Sequence, residues 1–74
     1  NHPVYYSNAA NCCMRLGHFE QAVQMADEAI RLNPAMTKAY YHRGLSYQAL
    51  KMHKKAIEDL RRVVKAVPGD EEAR

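Results

Sequence analysis

Three side chains that carry hydrogen-bond donors, Asn8, Lys38 and His42, could bind one ligand together if the fold placed them on one surface. Asn8 offers an amide, Lys38 an ammonium, and His42 a ring N–H one helical turn after the lysine. A carboxylate has acceptors only, so a receptor for it needs donors of these kinds, and hydrogen bonds to charged groups contribute about 1.5 to 3 kcal/mol each. The three residues therefore have the chemistry that a carboxylate ligand would need, if the surrounding elements bring them together.

An internal repeat of 34 residues organises the chain. The identical pairs at this spacing are Tyr6 and Tyr40, Leu16 and Leu50, Ala22 and Ala56, and Pro34 and Pro68. We therefore expect two repeat units, residues 3–36 (unit one) and 37–70 (unit two). Asp70 followed by two glutamates is typical of a helix start, so residues 71–74 are predicted to begin a further or capping helix.

Length and composition bound the function. A chain of 74 residues can make one small domain, and its net charge of +3 does not by itself indicate nucleic-acid binding. No apolar run approaches the roughly 20 residues that span a bilayer, so we expect a cytoplasmic protein without membrane association. Cys12 and Cys13 are adjacent, which favours buried thiols over a metal or redox site. No cofactor and no metal are predicted.

Apolar residues at spacings of three and four predict an all-α fold, in which each unit is a helical hairpin and the hairpins stack as an α-α superhelix. The predicted helices cover residues 4–16, 20–32, 37–50 and 54–66. Gly17 can adopt the left-handed conformation that ends the first helix, and Pro34 and Pro68 stop the second and fourth helices.

The first helix of each unit has two distinct faces. Small and aromatic residues form the face predicted to pack within the hairpin: Tyr6, Ala10, Cys13, Tyr40, Gly44 and Tyr47. Residues of the second helices are predicted to oppose them: Ala22, Ala26, Ala29, Ile30, Ala56, Leu60, Val63 and Val64. About 200° away lies a second stripe that faces a concave groove suited to extended ligands. That stripe consists of Val4, Asn8, Asn11, Arg15, Lys38, His42, Leu45 and Ala49.

The repeating pattern resembles the tetratricopeptide repeat over nearly the whole chain. The residues that carry the resemblance are Tyr6, Ala10, Phe19, Ala22, Ala29, Pro34, Tyr40, Gly44, Tyr47, Ala56 and Pro68. Two positions depart from the family pattern: Cys13 replaces a large aromatic residue, and Lys51 replaces a turn glycine. These departures are expected to loosen the packing slightly without changing the fold.

Two stretches, 5–10 and 37–44, resemble the second and third repeats of carboxylate-clamp co-chaperone domains, such as that of serine/threonine protein phosphatase type five. The resemblance implies that Asn8 and Lys38 bind the C-terminal carboxylate and last aspartate of a heat-shock chaperone tail ending in Glu-Glu-Val-Asp. Chaperones of the 70 or 90 kDa class are the implied partners. The resemblance also implies that a complete clamp domain has a preceding repeat, with another lysine and asparagine.

One departure concerns the clamp itself. His42 stands where many clamp domains have an arginine, and Arg43 is displaced by about 100° round the helix. Either the clamp is weaker, or Arg43 bends back to complete it. If His42 acts as a cation, binding should tighten between about pH 7.5 and pH 6. The predicted peptide-binding residues are Asn8, Lys38, Tyr41, His42, Arg43 and Leu45, with Tyr41, Leu45 and Ala49 receiving an apolar side chain of the peptide.

A basic run in the last predicted helix could be taken for a nucleic-acid patch: Lys51, Lys54, Lys55, Arg61, Arg62 and Lys65. Glu58 has the spacing to pair with Lys54 and Arg62, and Asp59 with Lys55. A solvated helix face with internal ion pairs is therefore favoured, and no nucleic-acid partner is predicted.

The sequence has no glycine-rich phosphate loop and no nucleophile with a positioned base, so we predict no catalytic residues and no enzyme activity for this chain. The parent protein could carry a separate catalytic domain. A rival to tail binding is a structural role, either as a scaffold repeat or through self-association of uncapped ends.

Overall fold

The computed structural model describes residues 2–66, which form four helices and no strand. The helices are α1 (Pro3–Arg15), α2 (Phe19–Leu32), α3 (Thr37–Ala49) and α4 (His53–Ala66). The all-α fold of two tandem hairpins is as predicted, and each helix begins and ends within one residue of its predicted bounds. The predicted stop at Pro68 and the predicted helix in residues 71–74 lie outside the described residues.

The turns within the two hairpins have the same backbone form. Gly17 has a φ of 84°, and Lys51, at the equivalent position of unit two, has a φ of 65°. In each turn a backbone N–H reaches back over the end of the helix: His18 N donates to Cys13 O at 2.8 Å, and Met52 N to Tyr47 O at 2.8 Å. Glycine adopts this conformation without a steric penalty, whereas a lysine is strained there.

Two hydrogen bonds made by side chains help to hold the connection between the units. The side-chain oxygen of Asn33 accepts a bond from the Ala35 N–H at 3.1 Å, which closes a local turn. Tyr40 in α3 donates its hydroxyl to the Pro34 carbonyl oxygen at 3.0 Å. The second bond ties the start of unit two to the end of unit one.

Small residues let the helices pack closely. Helix α1 packs against α2, and α3 against α4, while α3 also contacts both α1 and α2. The buried apolar residues are Ala10, Ala22, Ala26, Ala29, Ala39, Tyr40 and Ala56. At Gly44 a Cβ would lie only 2.9 Å from Leu60 Cγ, so the glycine permits a close approach of α3 and α4.

Two side chains on the outer faces of the structure, the faces of α1 and α4 that lie away from the other unit, are more exposed than the sequence suggested. Cys12, predicted to be buried, is exposed, and Val64, predicted to pack in the core, is 62% exposed. The residue equivalent to Cys12 in unit two is Ser46, which is fully buried. Because units bury their faces mainly against neighbours, the same position is covered in unit two and open in unit one. Within residues 2–66, α4 contacts only α3, so Val64 has no helix over it.

No helix within residues 2–66 combines the length and the apolar character needed to cross a bilayer.

Candidate functional site

The side chains of Asn8, Lys38 and His42, which we call the donor stripe, lie on α1 and α3. Asn8 on α1 and Lys38 on α3 are both exposed. No hydrogen bond or ion pair within the described residues engages either side chain. Since α1 contacts α3, the two donors belong to adjoining helices of the two units. Both are free to bind an external acceptor.

His42 is half-buried, and its Nδ1 atom is buried without a hydrogen-bond partner. The pKa of His42 is lowered from its ordinary value, first because the ring is partly buried and second because Lys38 is nearby. Protonation would add an unpaired N–H at the buried Nδ1, which also opposes the cation. The ring is therefore neutral near pH 7, and Nε2 is the nitrogen left to donate a bond. A cationic His42 is expected only at a lower pH than the sequence suggested.

Apolar surface adjoins these donors on α3. Tyr41 is 45% exposed, and its ring centroid lies 5.9 Å from that of His42, with the planes tilted by 56°. Leu45 is half-buried and Ala49 is exposed. The arrangement offers a polar group and an apolar surface along one helix, as a peptide ligand with both kinds of side chain would require.

Arg43 does not belong to this stripe, which corrects the expectation that it bends back to complete the clamp. Its Nε donates to Asp59 Oδ2 at 2.8 Å, and its NH2 donates to Asp59 Oδ1 at 2.9 Å. Its NH1 donates to Asp27 Oδ1 at 2.7 Å. We call Arg43, Asp27 and Asp59 the arginine bridge, since it joins α2, α3 and α4. All three guanidinium nitrogens are engaged, so Arg43 is removed from the predicted peptide-binding set.

The three faces of α3 explain this placement. One face carries Lys38 and His42, a second carries the fully buried Ala39 and Ser46 toward unit one, and a third carries Tyr40 and Gly44 toward α4. Arg43 lies between the second and third faces, about 100° from His42. From there its side chain reaches both neighbouring helices, and the hydrogen bonds to both aspartates raise the pKa of Arg43 further above its ordinary value.

Aromatic rings support the bridge. The guanidinium carbon of Arg43 lies 5.4 Å from the centroid of Tyr40 and 5.8 Å from that of Tyr47. Arg62 covers Tyr40 at 4.8 Å, and Lys55 lies 5.7 Å from the Tyr47 centroid. Cations over tyrosine rings are attracted by the ring electrons, so these contacts help to hold α4 against α3.

The predicted ion pairs of α4 do not form. Asp59, expected to pair with Lys55 on a solvated face, is only 5% exposed and binds Arg43 instead. Among residues 2–66 no ion pair joins Glu58 to Lys54 or to Arg62. A signal was present in the sequence: Asp59 lies three residues after Ala56 and four before Val63, which places it on the packed face of α4.

Of the predicted peptide-binding residues, Asn8, Lys38 and Tyr41 are exposed. A cavity of about 450 Å³ lies elsewhere, lined by Glu20, Val23, Gln24, Tyr47, Leu50, Met52 and Lys55. No group of three or more His, Cys, Asp or Glu side chains in the described part of the chain could hold a metal ion.

Comparison with known proteins identifies the repeats. Two models described as "Tetratricopeptide repeat" match the chain, one over residues 3–35 and the other over residues 37–70. The chain belongs to the tetratricopeptide-repeat family. Each matched segment contains one of the two hairpins. The tetratricopeptide hairpins account for the small-residue core and for the turn in which Lys51 stands at the glycine position.

Several relatives of this tetratricopeptide chain are much longer proteins. It is 38% identical over 69 residues to sperm-associated antigen 1 of Homo sapiens, covering 93% of this chain and 8% of that protein. It is 35% identical over 72 residues to serine/threonine-protein phosphatase T of Aspergillus oryzae, covering 97% of this chain and 15% of that protein. It is 33% identical over 67 residues to the Hsp70-Hsp90 organizing protein of Triticum aestivum, covering 90% and 12%.

These relatives fix the coarse role of the chain. The chain spans less than a fifth of each of these three proteins, so the phosphatase name describes that whole protein. What this chain shares with all three is the tetratricopeptide segment, which is a protein-interaction module.

Proposed function

We propose that this chain is the part of a co-chaperone that binds the acidic C-terminal tail, of the Glu-Glu-Val-Asp type, of a cytosolic heat-shock chaperone of the 70 or 90 kDa class. The proposal places the protein in the cytoplasm. Its main support is the pair of exposed donors, Asn8 and Lys38, which no side chain of residues 2–66 engages and which lie on adjoining helices of the two units. The similarity to an Hsp70-Hsp90 organizing protein supports the choice of partner.

Each residue has a separate role in this proposal. Lys38 forms an ion pair with a carboxylate of the tail, and Asn8 donates an amide hydrogen bond from unit one. His42 donates a bond as a neutral ring. Tyr41 and Leu45 receive the apolar side chain that precedes the last residue of the tail. Arg43 has no role in contacting the ligand.

The decisive ligand feature is the negative charge at the end of the tail. A peptide ending in Glu-Glu-Val-Asp should therefore bind more tightly than the same peptide with an amidated C-terminus, and isothermal titration calorimetry can measure both. Each lost charge-assisted hydrogen bond weakens binding by about 10- to 100-fold, from its 1.5 to 3 kcal/mol. Equal dissociation constants for the two peptides would reject the proposal.

A matched pair of variants tests the residue assignment. Lys38→Ala should abolish most of the preference for the free carboxylate. Lys54→Ala removes another exposed lysine from α4, outside the donor stripe, and should leave the preference unchanged. If both variants lose the same affinity, the effect is one of net charge, and Lys38 has no specific role.

A second candidate is a scaffold role or self-association through the outer faces. Tyr5 is 64% exposed whereas Ala39, its equivalent in unit two, is fully buried against unit one. On α4, Ile57 is 54% exposed and Val64 is 62% exposed. Exposed apolar surface of this kind promotes pairing.

The residues at the positions equivalent to Asp27 and Arg43 favour tail binding over self-association. The bridge residues Asp27 and Arg43 join the units within one chain, and their equivalents in a chain-to-chain contact would be Arg61 and Ala9. No ion pair can form between an arginine and an alanine. Static light scattering over a range of concentrations separates the candidates: a constant monomer mass rejects self-association, and a mass that rises with concentration supports it.

A further inference from the structure

Among the described residues, the arginine bridge contains the one ion pair that crosses from unit one to unit two. Arg43 and Asp59 both belong to unit two, and Asp59 is held by two hydrogen bonds in a nearly closed environment. Arg43 therefore moves with unit two. Asp27 belongs to unit one, and its carboxylate accepts a bond of 2.7 Å from Arg43. The contact between Asp27 and Arg43 thus connects unit one to unit two.

We propose that Asp27 is a positioning residue, which orients α3 relative to unit one and so sets the spacing between Asn8 and the donors Lys38 and His42. This inference rests on the proposed function, because the spacing matters to a ligand that contacts both units. Asp27 itself does not contact that ligand.

A rotation of α3 that breaks the arginine bridge would also move part of the donor stripe. Arg43 follows His42 directly in α3, so a rotation of α3 that breaks the Asp27 contact also turns His42 and Lys38. Side chains extend to about 5 to 6 Å from a helix axis, so a rotation of about 20° moves their ends by roughly 2 Å. Hydrogen bonds to charged acceptors tolerate only a few tenths of an ångström. A small turn of α3 would therefore break contacts to a ligand already bound to Asn8.

Unit one has no ion pair at the equivalent positions. The residues equivalent to Arg43 and Asp59 are Ala9 and Met25, which cannot form an ion pair. In unit two, the ion pair between Arg43 and Asp27 adds to the packing of small residues that the two units share. The Asp27 side chain is 52% exposed, so solvent weakens the pair and its removal should have a modest effect.

Three variants of the full chain test the inference. Asp27→Asn removes the charge and keeps the shape, Asp27→Glu restores the charge, and Glu28→Gln is the control. Glu28 is the next residue of α2 and pairs with Arg31 inside the same helix, so its loss removes an ion pair that does not cross between units.

The first readout is the ratio of dissociation constants for the amidated and free-acid forms of a peptide ending in Glu-Glu-Val-Asp. Asp27→Asn should reduce this ratio about threefold, a size that fits an exposed ion pair, with the thermal midpoint nearly unchanged. Asp27→Glu should restore the ratio and Glu28→Gln should leave it at the wild-type value. An unchanged ratio in Asp27→Asn, or an equal loss in Glu28→Gln, would overturn the inference.

The second readout needs no ligand, so it separates this inference from the proposed function. Spin labels at Gln21→Cys and Gln48→Cys, both exposed positions, report the distance between unit one and unit two in a Cys12→Ser, Cys13→Ser background. Asp27→Asn should broaden or shift the measured distance distribution, and Glu28→Gln should not. If wild type fails to prefer the free-acid peptide, the proposed function fails while this distance still tests the positioning role. An identical distribution in wild type and Asp27→Asn overturns the positioning role.

Discussion

Unit one carries Ala9 and Met25 at the positions where unit two carries Arg43 and Asp59. The two hairpins share their turn conformation, yet one carries apolar side chains at these two positions and the other carries a bidentate ion pair. The same fold therefore tolerates either solution. The ion pair of unit two also allows a contact with unit one, because the third guanidinium nitrogen of Arg43 binds Asp27.

The donor stripe differs between the units in a related way. Unit one presents Val4 and Asn8, whereas unit two presents Lys38 and His42 at the equivalent positions. The ammonium thus comes from one unit and the amide from the other. A ligand that needs both must span two hairpins, and its binding depends on how those hairpins are oriented.

The largest expected effect comes from breaking the ion pair of unit two. Arg43→Ala leaves the Asp59 carboxylate, whose side chain is only 7% exposed, without its partner, and should lower the free energy of unfolding by about 3 kcal/mol. The double variant Arg43→Ala, Asp59→Met installs the pair found in unit one and should recover at least half of that loss. Urea denaturation measures both. A double variant less stable than Arg43→Ala would show that the two units cannot exchange these pairs.

A smaller effect is expected at the closest approach of the helices in unit two. Gly44→Val would place a branched side chain against Leu60, whose Cγ lies 2.9 Å from the position that a Cβ would take, and should cost about 1 to 3 kcal/mol. The equivalent residue of unit one is Ala10, which is fully buried with its Cβ in place. Ala10→Gly should cost about 1 to 2 kcal/mol, through helix propensity and the loss of a buried methyl group. Thermal unfolding followed by circular dichroism tests both, and a Gly44→Val variant as stable as the wild type would contradict the close approach of α3 and α4.

Substitutions in the two hairpin turns are expected to change the stability of the protein in opposite directions. Lys51→Gly relieves the left-handed strain at a φ of 65° and should stabilise the protein by about 1 kcal/mol. Gly17→Ala introduces the same strain at a φ of 84° and should destabilise it by a similar amount. No heavy atom lies within 4 Å of a Cβ at Gly17, so a steric clash does not complicate the second change. Chemical denaturation of both variants should show the two shifts, and a destabilised Lys51→Gly would contradict the strain argument.

The smallest effect concerns the pH dependence of tail binding. The pKa of His42 lies below its ordinary value of 6.5 in the free protein, because burial and Lys38 disfavour the cation. A bound carboxylate would raise that pKa, so the protein takes up protons when the ligand binds, and affinity should increase as the pH falls through the pKa of His42 in the complex.

The control for this prediction is His42→Asn, which copies Asn8 of unit one and cannot titrate. Its affinity should stay flat over the whole range in which the wild type changes. The stability of the free wild type should fall on acidification, since the unfolded chain takes up a proton at His42 more readily than the folded chain does. A wild-type affinity as independent of pH as that of His42→Asn would contradict a contact between His42 and the ligand carboxylate.

The fold could be predicted because its determinants are local and repeated. Alanines at helical spacing, the turn at Gly17 and the stop at Pro34 recur or have counterparts one period later, and they set the helix bounds within one residue. The burial of individual side chains was harder to predict. Cys12 and Val64 occupy positions that are covered only when a further unit lies beside them, so their exposure depends on neighbours and not on their own helix.

The candidate site was predictable in part for a similar reason. The stripe of Asn8, Lys38 and His42 follows from helical spacing, and all three lie on the expected helices. The role of Arg43 did not follow, because its partners are 16 residues away in either direction, on other helices. A spacing rule within one helix assigned Asp59 to Lys55, whereas the close approach of α3 and α4 at Gly44 brings Asp59 to Arg43 instead.

Tail binding is tested most directly by a nitrogen-15 correlation spectrum of the chain during titration with a peptide ending in Glu-Glu-Val-Asp. We expect saturable shifts of the Asn8 side-chain amide and of the backbone amides around Lys38 and His42, with little change in α4, and much smaller shifts with the amidated peptide. Shifts confined to α4 and to the outer faces, or equal shifts with both peptides, would contradict it.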